Sequence, residues 1–244
     1  MLPEPCPACF SHHTFAYSGS EFRGCNLCAT ISATDRTTTA VYDAQYVAER
    51  YDRYPTTRSM SILRYEVMMA ALNLYKTVET GNHIHPGLLL DVGYGNGDFI
   101  RVCQAYGWTS FGNDVNPTRY LGVCQVPLPG PDNPTRYQVV TFFDALEHFE
   151  NLKQVRRLSH YTEWIIASFP TIPPEFPYKT EGYKHYRPGE HHLFFQPTSL
   201  ETIFSVQGRQ AKVVYFGGPE DRIRGKRADG GRNITTVVLR CSDV

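Results

Sequence analysis

Residues 88–100 read "LLLDVGYGNGDFI", and this stretch decides the fold. An apolar run that ends in Asp91 predicts a strand over 88–92, and three glycines in Gly-x-Gly-x-Gly spacing (Gly93, Gly95, Gly97) predict a side-chain-free turn. A helix over 97–106 follows. Strand, glycine turn and helix in that order put unpaired backbone N–H groups at the carboxyl edge of a sheet, where a ligand can approach the main chain closely. A few residues on, "FGNDVNP" (111–117) closes a second strand, 109–113, with Asp114. An acid there is placed to accept hydrogen bonds from two vicinal ribose hydroxyls, so the site calls for a nucleoside. A dinucleotide fingerprint would be Gly-x-Gly-x-x-Gly, and here the third glycine comes one residue early. The turn alone leaves the nucleoside open.

Outward from this stretch the chain alternates. Strands are predicted at 137–143 and 163–169, with a helix at 150–160 between them. Another helix follows in "QPTSLETIF", and "AKVVYF" and "NITTVVLRC" close the chain as strands. Such alternation argues for an α/β, doubly wound, mainly parallel sheet covered on both faces. Asn233-Ile234-Thr235 matches a glycosylation acceptor but reads more simply as the start of the last strand. Ahead of the first strand, Gln45 to Lys76 has helical spacing broken at Pro55, predicting two helices. The second places Ile62, Leu63, Val67, Met68, Ala71, Leu72 and Tyr75 largely on one side.

At 244 residues and 41% hydrophobic content, one full-sized domain with a small appendage is expected. Lys plus Arg and Asp plus Glu both number 24, so no global charge steers the chain to polyanions, and a nucleic-acid partner would need a local patch. With no targeting pattern at the N-terminus and no long apolar run, a soluble, cytoplasmic protein without a membrane partner is expected.

Four of the seven cysteines fall in the first thirty residues, as "CPAC" (Cys6, Cys9) and "CNLC" (Cys25, Cys28). Two Cys-x-x-Cys pairs at this distance bring four thiolates to the corners of a tetrahedron, which suits Zn²⁺. Two disulfides or a redox pair are the rival readings. Four sulfur ligands leave no open position, so the zinc would be structural, and a module this small would draw much of its stability from the ion. His12 and His13 lie in the intervening loop as less favoured ligands, and Cys103, Cys124 and Cys241 read as isolated thiols. Residues 1–40 are thus a zinc ribbon and linker. Residues 41–244 are the main domain, opening with a helical lead-in over 41–80.

Four motifs together, "LLLDVGYGNGDFI", "FGNDVNP", "YQVVTFFDALEHFEN" (137–151) and "HHLFFQPTSLETIF" (191–204), resemble the class I S-adenosylmethionine-dependent methyltransferases from about Leu88 to the C-terminus. The resemblance implies a Rossmann-like, seven-stranded sheet with the last strand antiparallel. It also implies S-adenosylmethionine held by Asp91, Gly93, Tyr94, Gly95 and Gly97, by Asp114 and Val115, and by Phe143, Asp144 and Ala145. The tyrosine-rich lead-in, with Tyr46, Tyr51, Tyr54 and Arg58, would fold over the cofactor, with Tyr51 or Tyr54 on its sulfonium; amphipathic helix packing accounts for the tyrosines equally well. The chain departs from the family between Asp114 and Tyr137, where little room remains for a helix and strand. Val123 to Gln125 would form a minimal strand there, with Cys124 or Gln125 at the adenine. The ribbon, the lead-in and "KHYRPGEHH" (184–192) are similar to a subset of these enzymes found in bacteria and phages.

Methyl transfer is an in-line displacement that asks mainly for alignment, plus a base where the acceptor must lose a proton. Two segments can supply it. One is "DALEHFEN", with Asp144, Glu147 and His148, where Glu147 and His148 also read as a structural brace beneath the cofactor. The other is the proline-stiffened stretch 169–195, the densest ionisable cluster in the chain. From these, His148, His185, Glu190 and His191 are the catalytic candidates, and Tyr178, Lys184, Arg187 and His192 the substrate-binding ones. A second metal among His185, Glu190, His191 and His192 is a minor alternative, because the spacing fits no helical metal motif. The basic run "DRIRGKRADGGR" (Arg222, Arg224, Lys226, Arg227, Arg232) reads either as a solvated hairpin tip or as a phosphate contact on the cofactor edge. The expectation is methyl transfer to an O or N acceptor: a small polar metabolite, a nucleic-acid base or a protein side chain. The alternative is a catalytically silent adaptor that docks through its ribbon. A nicotinamide-dependent oxidoreductase would need the missing pyrophosphate spacing.

Overall fold

The computed structural model describes residues 4–38, 57–115 and 122–244. Three short strands, β1 (Thr14–Ala16), β2 (Phe22–Cys25) and β3 (Ile31–Ala33), pair antiparallel in that order. The two Cys-x-x-Cys segments close as the same turn. Phe10 N–H donates to the Cys6 carbonyl at 2.9 Å and Ala29 N–H to the Cys25 carbonyl at 2.8 Å, and Phe10 and Ala29 both adopt positive φ, 65° and 54°.

Next come α1 (Thr57–Thr80), β4 (Leu88–Val92), α2 (Asp98–Ala105), β5 (Thr109–Asn113), β6 (Tyr137–Phe143), β7 (Thr162–Pro170) and β8 (Leu193–Phe194). The chain ends with α3 (Ser199–Phe204), β9 (Arg209–Gly217), α4 (Asp221–Arg224) and β10 (Ile234–Asp243). The main sheet has the order β5-β4-β6-β7-β10-β9. Its first four strands run parallel, and β10 lies antiparallel to both β7 and β9. Reversal of chain order between β4 and β6 opens a crevice at their carboxyl ends, the place where open α/β sheets bind ligands.

Both faces of this sheet are covered at its centre, which explains why β4, β6, β7 and β10 are buried along nearly their whole length, whereas the edge strands β5 and β9 are partly exposed. Leu90, Val140, Ile165 and Val237 pack into one core with Phe142, Leu200 and Phe204. Their chain neighbours Leu89, Val139, Ile166 and Val238 point to the opposite core with Met68, Leu72, Phe99 and Trp164. Alternate residues therefore reach opposite layers, as the period of two requires. Among the described residues no helix is long and apolar enough to cross a membrane.

Two expectations change. The main sheet has six strands among the described residues, not seven. Where a seventh would lie, a single parallel bridge joins Gly112 to Gln125, flanked by Gly112 N–H to Cys124 O at 3.0 Å and Val126 N–H to Gly112 O at 2.9 Å. Pro127, Pro129, Pro131 and Pro134 follow, and residues without an N–H cannot extend a ladder. The helix expected at 150–160 is a 3₁₀ segment, Val155–Tyr161. Leu152, Val155 and Leu158, all buried, repeat every three residues, the period of a 3₁₀ turn. The segment is also pinned to the cysteine loops by Leu152 N–H to Pro7 O at 2.9 Å and Arg156 Nη1 to Cys9 O at 2.6 Å. The N-terminal sheet gains a fourth strand from farther along the chain. β3 pairs with β8, matching Ile31 to Phe194 and Ser32 to Leu193, and Phe22, Phe176, Tyr183 and Phe194 form a shared aromatic core.

Candidate functional site

A cavity of about 600 Å³ opens at the carboxyl edge of β4 and β6. The glycine turn forms one end: Asp91, Gly93, Tyr94 and Gly95 line it, with Phe143 and Asp144 from the end of β6. Gly93, Gly95 and Gly97 take positive φ of 74°, 55° and 71°, and Gly97 caps α2. A Cβ on Gly93 would stand 2.7 Å from the Cβ of Ala145, which is why this position carries none. At Gly112 a Cβ would meet the Tyr94 ring at 2.3 Å, so a second glycine makes room for that ring.

Asp91 is buried, and its Oδ1 accepts a 2.7 Å hydrogen bond from Thr141 Oγ1. Burial, only partly offset by Thr141 and Arg64, pushes its carboxyl up to about 7. Asp114 follows β5 and accepts a 3.1 Å hydrogen bond from Gly95 N–H. Gln125 donates to the Asp114 carbonyl at 3.1 Å, which sets the residue expected near the adenine beside the acid expected at the ribose. Val115 is 83% exposed, away from the cavity lining. Tyr46, Tyr51 and Tyr54 lie outside the described residues.

The other end of the cavity holds the polar cluster. Glu147 and His148 come from a 3₁₀ turn, Leu146–His148, and Lys184, His185, Arg187, Glu190 and His191 from the proline-rich stretch. His185 Nε2 is 2.8 Å from Asn233 Oδ1, and His191 Nδ1 is 2.7 Å from the His185 carbonyl. A carbonyl only accepts, so His191 carries its proton on Nδ1 and presents a lone pair at Nε2. Burial holds His148 and His185 near 4 and His191 near 2, so all three are neutral at physiological pH. Burial, reinforced by the charge of Asp144, drives the Glu147 carboxyl well above the usual range. His192 and Tyr178 lie elsewhere. His192 is fully buried with Nε2 3.1 Å from Thr38 Oγ1, and Tyr178 is 73% exposed, edge-on to Tyr17.

One element of the wall carried no motif. Arg64, on α1, donates to Glu220 at 2.8 Å and to Asp144 at 2.6 Å, and its guanidinium lies 4.6 Å from the Phe143 ring centre. Arg224 completes the square, pairing with Glu220 at 3.0 Å and with Asp144. The basic run is therefore folded inward at Arg224 and is not merely a solvated tip. Arg64 follows the buried Met60 and Ser61 by four and three residues and precedes Met68 by four. An arginine on a buried helical stripe was the available signal.

In the N-terminal sheet the sulfurs of Cys6, Cys9, Cys25 and Cys28 all lie within 4.8 Å of one another, with Cys6–Cys28 at 3.7 Å and Cys9–Cys25 at 3.6 Å. Four sulfurs about 2.3 Å from a zinc ion stand about 3.8 Å apart on a tetrahedron, so the cluster fits that ion. None of the four is disulfide-bonded.

A mainly parallel sheet, a side-chain-free turn and an acid at the end of the next strand define a doubly wound α/β protein with a crevice at its carboxyl edge. A methyltransferase-domain family model matches residues 66–212, more than half of the chain, and the chain belongs to that family. No match was found among curated protein sequences. The fold is similar to that of a SAM-dependent methyltransferase from Archaeoglobus fulgidus (16% identity, 81% of this chain and 100% of that one, TM-score 0.51). It is also similar to the plantazolicin methyltransferase BamL in complex with a triazolic desmethylPZN analog and SAH (11% identity, 80% and 90% covered, TM-score 0.50).

Proposed function

We propose that the protein transfers a methyl group from S-adenosylmethionine to an oxygen or nitrogen acceptor. The observation that carries this reading is the continuity of one cavity, with the glycine turn and Asp91 at one end and a cluster of neutral imidazoles, carboxylates and cations at the other. When bound, S-adenosylmethionine supplies a methyl group made electrophilic by a sulfonium. The chain's part is to hold and align. Asp91 would meet the cofactor's ammonium, the side-chain-free turn would admit its methionyl portion, and Asp114 would hold the ribose. His148, His185, His191 and Glu190 offer lone pairs at the acceptor end, and Lys184 and Arg187 add positive charge for an anionic group on the acceptor. Cys6, Cys9, Cys25 and Cys28 would hold a structural Zn²⁺, and a reduced tetrathiolate cluster suits the cytosol.

Calorimetric titration of the zinc-replete protein with S-adenosylmethionine, S-adenosylhomocysteine and NAD tests the reading. Micromolar binding of the first two, weakened by Asp114→Ala, is expected. Silence toward both would favour the adaptor reading, and binding of NAD alone would favour an oxidoreductase.

A further inference from the structure

We propose that the Glu147 carboxylate and the imidazoles of His148 and His191 form a divalent-cation site on the floor of the cavity, at its acceptor end. One ligand atom from each of the three lies within 4.8 Å of the other two, close to the spacing that a shared ion would need. Glu147 is 2% exposed, and its Oε2 has no hydrogen-bond partner among the described residues. A buried carboxylate oxygen left without a donor is costly and calls for a cation or a proton.

The histidines are held as metal ligands usually are. His191 donates Nδ1–H to the His185 carbonyl at 2.7 Å, which turns the Nε2 lone pair to the cluster. The main chain of Glu190 hydrogen-bonds the His148 ring, and the two rings meet edge to face with centres 4.6 Å apart. Outer carbonyls that fix tautomer and ring orientation are the usual support of a histidine ligand. His191 Nε2 also faces Glu190 Oε1 at 3.8 Å, but Glu190 is already paired with Arg187 at 2.8 Å, which leaves Glu147 Oε2 as the buried carboxylate oxygen without a donor among the described residues.

Two imidazoles and one carboxylate are a donor set for a transition ion such as Mn²⁺, Fe²⁺ or Co²⁺, with the remaining positions open to the cavity. Resting on the methyl-transfer reading, the ion would take the acceptor's hydroxyl oxygen as a ligand and make it acidic. The O–H bond then breaks and its proton passes to solvent. The oxygen forms its bond to the methyl carbon as the carbon–sulfur bond breaks, and the sulfur keeps the pair. The acceptor class that fits is a hydroxyl flanked by a second oxygen able to chelate.

Zinc-replete protein is titrated with Mn²⁺, followed by paramagnetic resonance, and with Co²⁺, followed by its visible spectrum. S-adenosylhomocysteine affinity is measured on the same samples. One equivalent of Mn²⁺ or Co²⁺ without thiolate-to-cobalt absorption is expected, weakened by about tenfold or more in Glu147→Gln and in His191→Ala. Absence of binding by both ions, or binding untouched by either substitution, would overturn the site. Intact S-adenosylhomocysteine binding shows that the variants are folded and separates this failure from failure of the methyl-transfer reading.

Discussion

Replacing Arg64 by methionine tests how the wall of the cavity is held. The guanidinium bonds Glu220 through two nitrogens, at 2.8 and 3.0 Å, and Asp144 at 2.6 Å, while Glu220 is 1% exposed. With Arg224 the square is two cations against two carboxylates, and losing Arg64 leaves one negative charge in excess. Stripping one partner from a buried pair costs about 3–5 kcal/mol when the remaining charge is uncompensated. Arg224 remains beside both acids, so about half of that applies, and loss of the contact with Phe143 adds about 0.5–1 kcal/mol. The expected loss is about 3 kcal/mol. For a chain of this size a urea slope of about 3 kcal/mol/M turns that into a midpoint lowered by about 1 M. The assay is urea unfolding of wild type, Arg64→Met, Glu220→Gln and the double variant. The double variant should lose less than the sum of the singles by about 2 kcal/mol, because each single strands a charge that the double removes. Strict additivity, or a loss below about 1 kcal/mol in Arg64→Met, would refute the reasoning.

The raised carboxyl of Asp91 gives a pH signature. A folded value near 7, above the ordinary one, contributes stability that is complete below about pH 4 and fades as pH rises through 7, while a cationic ligand prefers the ionised form. S-adenosylhomocysteine affinity should therefore rise about tenfold from pH 6 to 8, as ionised Asp91 goes from about one-tenth to nine-tenths, and Asp91→Asn should flatten the curve. A level profile in the wild type would remove Asp91 from the ammonium. Gly93→Ala should cost about 2–3 kcal/mol in thermal unfolding, from the left-handed backbone and the clash with Ala145. Adding Ala145→Gly should return only the steric share, and a wild-type melting curve for Gly93→Ala would contradict the turn geometry. Metal analysis should find one zinc per chain, lost in Cys9→Ala together with the fold of residues 4–38. A protein that keeps that fold while holding no zinc would break the tetrathiolate reading.

The parts of the fold legible in sequence were those written in adjacent residues. The strands over 88–92 and 137–143 fell where their apolar runs stand, because a strand buried on both faces needs no partner to announce itself, and the half-buried strand over 109–113 was marked by its place between α2 and Asp114. The six-stranded edge was half-legible: the prolines after Val126 stand in the sequence, but the bridge at Gln125 exists only because Gly112 lies beside it. Arg64 was hidden because its partners lie 80 and 156 residues away. β8 was hidden for another reason: two residues carry no period, and Leu193–Phe194 becomes a strand only because Ile31 and Ser32 arrive beside it. Likewise the histidines of 184–192 announced a polar cluster, but only the fold sends His185 and His191 to the cavity and His192 to Thr38.

The pairing of β3 with β8 ties two distant ends of the chain into one mechanical train. Ala33 N–H donates to the His192 carbonyl at 3.0 Å, and His192 N–H donates to the Glu147 carbonyl at 2.8 Å. The cysteine-built sheet therefore grips the peptide next to His191 on one side, and that peptide grips the turn bearing Glu147 and His148 on the other. Cutting away the first 38 residues would strip β8 of its neighbour, bare an aromatic face at Phe194 and Phe176, and let the histidine stretch slacken. The four sulfurs act at a distance as the anchor bolt of the cavity floor, and an amputated chain would keep its glycine turn while losing the register of its histidine cluster.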